Sequence, residues 1–263
     1  MPRKSKKQSK SSVDLSLSLT SRYWLMAGYH FHVFHYRMPE TVAIASVTPF
    51  VPSPLTIKMA LVAALLQSGY DQTAQKLAQY LPQIDVRIIP PSSALSFKAF
   101  LRYRSVPAIE SGGGLDEAGS YYPSRPHTRE YALFSDELRI FLGLPKGLLN
   151  EEAFDEELLK PVKKALRLLR YLGSKDSLVT CLYLQNLEEK EIEVAKTAKK
   201  FQEVNQGTSG AVVLAVDFNP DIRPNLMDLI PGVRRKEHYE CFPLVLPGRI
   251  ISKGRSKIFC REQ

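Results

Sequence analysis

Between residues 22 and 184 the spacing of apolar side chains switches between a period of two and a period near 3.6, and the order of those switches limits the folds open to the chain. Along residues 22–37, Tyr29, Phe31 and Val33 alternate with His30, His32 and Phe34, as a half-buried strand requires. Behind Ser53 and Pro54, a capping residue and a proline suited to the first helical turn, Ile57, Ala60, Leu61, Ala64 and Leu65 follow helical spacing until Gly69. Asp71 caps a second short helix that runs to Tyr80. Residues 97–104 alternate again, with Phe97, Ala99, Leu101 and Tyr103 on one face and Lys98, Phe100, Arg102 and Arg104 on the other. A strand follows over 129–142, broken near Ser135 and Asp136. Pro161 then opens a helix carrying Val162, Leu166, Leu169 and Leu172, which Gly173 closes before a strand over 177–184.

Strand, helix, strand, strand, helix, strand is the order of a ferredoxin-like (RRM-like) α+β core, with both helices on one face of an antiparallel sheet. In many RNA-binding modules the other face, or the loops around it, meets the nucleic acid. Outside this core, residues 1–20 read as a disordered basic tail, 188–204 as a charged surface helix and 211–217 as a buried strand. The segments 241–246 and 257–261 predict a terminal hairpin. The expected division is therefore a tail at 1–20, a core at 21–220 and a small C-terminal β extension at 221–263.

Composition narrows the partner. A chain of 263 residues with 44% hydrophobic and 24% charged residues can bury a core. Its longest apolar run, 60–66, is far too short to span a bilayer, and no apolar stretch follows the basic N-terminus. Three widely spaced cysteines, Cys181, Cys241 and Cys260, argue against a disulfide framework or a zinc site. Together these features predict a cytoplasmic protein without a membrane segment, metal or cofactor. The formal charge is +9, and Arg3, Lys4, Lys6, Lys7 and Lys10 carry part of it within the first ten residues. Such a surplus suits a polyanion, although composition alone leaves RNA, DNA and an acidic protein all open.

One segment concentrates the chemistry of RNA binding. Lys98, Arg102 and Arg104 lead into a loop containing Gly112, Gly113 and Gly114, then Tyr121 and Tyr122, then Arg125, His127 and Arg129. Guanidinium groups bind phosphate through paired hydrogen bonds, and aromatic rings stack on unpaired bases. The competing reading is a solvated hairpin with ordinary surface charge. His30, His32 and His35 crowd the first strand, where one of them could act as a general base on a ribose 2′-hydroxyl or all could be ordinary strand histidines. His35 falls on the other face from its two neighbours, which weakens a metal site. No phosphate-binding glycine loop, nucleophile elbow or paired acidic cluster is present, so no catalytic residue is assigned.

Two further segments carry a family resemblance. The run from Thr48 through Pro49-Phe50-Val51-Pro52-Ser53-Pro54-Leu55-Thr56-Ile57-Lys58 to Leu66 resembles the proline-rich entry and first helix of the CRISPR-associated Cas family 5 proteins. The run Leu169-Arg170-Tyr171-Leu172-Gly173-Ser174-Lys175-Asp176-Ser177 resembles their later helix-to-strand junction. The resemblance implies a superfamily (RAMP) core with an inserted β-thumb, mapping here to about 97–129, and places Lys58 near RNA. It also implies a non-catalytic subunit of a type I Cascade complex that grips the 5′ handle of the guide crRNA. Such a subunit packs against the backbone and large subunits and meets target DNA through the complex. The expected RNA-binding residues are then Lys58, Lys98, Arg102, Arg104, Tyr122, Arg125, His127 and Arg129. Two alternatives remain at this point: a metal-free guide-processing endoribonuclease of the same superfamily, which the segment 248–255 faintly resembles, and a basic adaptor that binds only protein.

Overall fold

The computed structural model describes residues 21–35, 49–104, 124–147, 149–187, 210–229 and 236–262. Strand β1 (Arg22–Phe31) buries Leu25, Ala27, Tyr29 and Phe31 on one face, as its alternation requires. It lies inside a four-stranded sheet, pairing with β5 (Leu138–Pro145) on one side and β6 (Val179–Asn186) on the other. β5 also pairs with β2 (Asp85–Ile89), so the sheet order is β2-β5-β1-β6 and every pairing is antiparallel.

Helix α1 (Pro54–Gln67) begins at Ser53, whose extended backbone fits a cap although its side chain makes no capping bond. Its polar interruptions are so few that it is buried nearly all round, from Pro54 to Leu65. It touches α2 (Asp71–Tyr80), β2 and β7 (Ala211–Phe218). Asp71 is the first residue of α2, with Tyr70 at the cap position. A helical stretch then runs through α3 (Glu151–Phe154), a wider turn over Asp155–Leu159 and α4 (Lys160–Leu168). α4 packs against α1 and β6, and Val162, Ala165 and Leu166 enter the common core.

A second four-stranded sheet has the order β4-β3-β10-β9, built from β3 (Ser93–Arg104), β4 (Ser124–Phe134), β9 (Gly248–Lys253) and β10 (Ser256–Arg261). β7 and β8 (Tyr239–Leu246) make a separate antiparallel pair. The molecule is thus a mixed α+β protein with antiparallel sheets.

Two strand assignments made from sequence change. The segment 97–104 lies in the second sheet, and the short β2 takes the edge place beside β5. The break foreseen near Ser135 and Asp136 is real, but it separates two sheets rather than interrupting one strand. There the Ser135 hydroxyl donates to the Ser93 carbonyl and the Asp136 carboxylate accepts from the Ser92 amide. The terminal hairpin is also redistributed: the 241–246 segment pairs with β7, and 257–261 pairs with β9 and β3.

Candidate nucleic-acid interface

β3 and β4 form a long two-stranded ribbon in continuous register from Ala94↔Phe134 to Arg104↔Ser124. Residues directly opposite one another share a face, so the register sorts the expected basic residues. Lys98, Arg102 and Arg104 stand opposite Glu130, Pro126 and Ser124. Arg125, His127 and Arg129 stand opposite Tyr103, Leu101 and Ala99. Of these six, Lys98 and Arg129 have described side chains, and the register puts them on opposite faces of the ribbon. Tyr122 lies outside the described residues.

Two expected contacts are already engaged within the protein. Lys58 is only 1% exposed, and its ammonium lies 2.7 Å from the Asp217 carboxylate at the end of β7. A helix buried nearly all round leaves Lys58 facing the β7–β8 pair and away from solvent. Arg129 is half-buried and paired with Asp176. Asp176 belongs to the loop after α4, whose neighbour Ser177 donates its hydroxyl proton to the His35 carbonyl and accepts from the His35 amide. That loop, one of the two segments carrying the family resemblance, ties β1, β4 and β6 together.

The three histidines have different surroundings, and His35 lies beyond the end of β1. His30 and His32 are exposed and meet edge to face, with ring centroids 5.0 Å apart. His35 is buried, with its Nδ1 2.8 Å from the Glu130 carbonyl oxygen, and burial lowers its pKa from the ordinary 6.5. The sheet face opposite the helices is not bare. Trp24 and Phe141 form a small buried cluster there, and the Arg87 guanidinium sits 5.0 Å from the Trp24 ring centroid. Trp24, 1% exposed, is thereby withdrawn from base stacking.

On that sheet, the ribbon and the C-terminal hairpin enclose an open cleft of about 450 Å3. Lys98, Phe100 and Glu130 line it from β3 and β4; Ser252, Arg255 and Lys257 line it from the hairpin. The hairpin reaches it because Gly254 has φ +63 while Arg255 stays at negative φ, in a two-residue loop between the paired Lys253 and Ser256. Glycine with positive φ at the first loop position matches the hairpin turn that follows the natural strand twist. Three cations thus converge on one cleft. Glu130 is 2% exposed and accepts a 2.8 Å hydrogen bond from Ser96, while Phe100 is 69% exposed at the rim.

Arg255 and Lys257 are the residues that the sequence reading missed. The signal was present in the spacing of Arg249, Lys253, Arg255, Lys257 and Arg261, which puts a cation at nearly every second residue of a terminal hairpin.

No family model matches the chain. The CRISPR-associated protein Cas5 of Archaeoglobus fulgidus is 26% identical to it over 188 residues, which is 68% of this chain and 73% of that protein. The chain is similar to the CRISPR-associated Cas5 proteins. Among solved structures, a CRISPR protein from Archaeoglobus fulgidus aligns at 12% identity and a TM-score of 0.39, covering 92% of both chains. A chain of a CRISPR RNA-guided surveillance complex aligns at 12% identity and a TM-score of 0.38, covering 86% of this chain and 91% of that one. Both overlays are loose, and the likeness to Cas5 rests on the sequence.

Proposed function

We propose that this Cas5-type chain is a non-catalytic, RNA-binding subunit of a type I CRISPR effector complex of the Cascade kind, gripping the 5′ handle of the guide crRNA. The observation that carries the reading is the cleft where Lys98, Arg255 and Lys257 meet an exposed Phe100. Cations that track a phosphate backbone beside an aromatic platform are what sequence-tolerant single-strand binding needs. The sheet order β2-β5-β1-β6 with its intervening helices supports a ferredoxin-like core, and the β3–β4 ribbon suits the role of the inserted thumb. In this reading the chain packs against the backbone and large subunits and serves target-DNA recognition through them. No helix among the described residues is long and apolar enough to cross a membrane.

Co-expression with a repeat–spacer array and the neighbouring effector subunits tests the reading. The chain should co-purify with one discrete guide RNA, and the purified protein should leave repeat RNA intact in chelator. Recovery without RNA would support the protein-only adaptor. A metal-independent cut at one position, lost in His30→Ala or His32→Ala, would establish the endoribonuclease instead.

A further inference from the structure

The cleft belongs to the second sheet, and a separate group of cations lies on the helices of the first. α4 packs against α1, α2 and β6. It turns its apolar side chains inward: Val162, Ala165 and Leu166 are buried, and Leu168 leans on the same core. Lys164 and Arg167 are exposed and Lys163 is half-buried, at spacings of three and four residues that make them neighbours on the helix. Arg170 is exposed just beyond the helix end. The acids of this helical stretch are engaged near its start, Asp155 and Glu156 with Lys160, and Glu157 with Lys76. Among the described residues, no carboxylate lies within ion-pair distance of Lys163, Lys164, Arg167 or Arg170. The helix dipole favours a cation in the last turn, which accounts for Arg167 but not for Lys163 and Lys164.

The neighbouring ring narrows the partner. The Lys164 ammonium sits 3.3 Å from the centre of the Tyr70 ring, so a ring that is 38% exposed is capped by a charge instead of lying open to a base. This surface therefore offers cations without a stacking platform. Single strands are held by both together. A duplex keeps its bases stacked inside and presents one negative charge per about 1.7 Å of its axis. A protein partner would find no apolar centre on α4, whereas a polar, positive surface is what DNA meets in its complexes. We propose that the outer face of α4 binds double-stranded DNA through its phosphates, without reading bases, on a surface separate from the cleft. The choice of DNA rests on the RNA-guided reading above, in which target DNA is the nucleic acid that the complex meets besides its guide.

A short DNA duplex of arbitrary sequence and a single-stranded RNA of equal length provide the test, each titrated with the full chain by fluorescence anisotropy across a salt series. Lys164→Gln with Arg167→Gln removes two charges at exposed positions. This pair should weaken duplex binding several-fold and reduce its log–log salt slope by about 0.9 for each lost contact. RNA affinity and circular dichroism should stay close to those of the wild type. Lys98→Ala with Arg255→Ala should do the reverse, weakening RNA and sparing the duplex. An unchanged duplex slope in the folded α4 pair overturns the proposal. If that pair also ceases to co-purify with the effector subunits, the face docks protein instead. Equal losses for RNA and duplex overturn it too, because they mark general attraction to a basic protein. So does a folded wild type that binds no duplex. If the wild type binds the duplex through α4 but binds no RNA, the RNA reading falls and the duplex surface stands.

Discussion

Lys58 and Asp217 show how far one side chain's surroundings decide its role. In the sequence, the resemblance to the Cas family 5 proteins places Lys58 near RNA. In the fold it is 1% exposed, 2.7 Å from Asp217 and 6.0 Å from the centre of the Phe218 ring. It links α1 to the β7–β8 pair. Removing one member of a buried pair strands the other charge, at a cost of about 3–5 kcal/mol, whereas replacing both by apolar residues is often neutral. Lys58→Met should therefore lower the urea midpoint sharply, and Lys58→Met with Asp217→Leu should recover most of the loss. The guide affinity of the folded double variant should match the wild type. A weakened affinity there would return Lys58 to the RNA site.

At the scale of elements, the legible parts were those whose pattern is local. The alternation of Leu25, Ala27, Tyr29 and Phe31 gives β1, and the apolar spacing through Leu65 gives α1. β2 was hidden because it is only five residues long, with Asp85 and Arg87 each just ahead of its buried Val86 and Ile88, and Pro90 and Pro91 directly after. Which strand pairs with which was not legible, since a period of two is the same in either sheet. The site was half legible for the same reason: the cations of β3 could be counted, but the hairpin that brings Arg255 and Lys257 beside Lys98 comes 157 to 159 residues later in the chain. The hairpin itself depends on Gly254, which has φ +63 and no atom near its missing Cβ. Gly254→Val should therefore cost only backbone strain, about 1–2 kcal/mol. Chemical denaturation measures it, and a change below a few tenths of a kcal/mol would mean that the turn tolerates a side chain at this φ.

Across the whole molecule, the second sheet presents two different faces. On one, Ile251, Ile258, Leu95 and Leu133 form a cross-strand apolar row, with Ile251, Leu95 and Leu133 between 39% and 44% exposed. On the other lies the basic cleft. This cleft is expected to bind the phosphates of the guide. Guide affinity across a salt series, for the wild type and for Lys98→Ala with Arg255→Ala, tests it most directly. Each lost phosphate contact on a single strand should reduce the log–log salt slope by about 0.7, so the double variant should bind more weakly and with a visibly flatter slope. Circular dichroism should remain unchanged, because exposed cations add little to stability. An unchanged slope in a folded double variant would contradict the account.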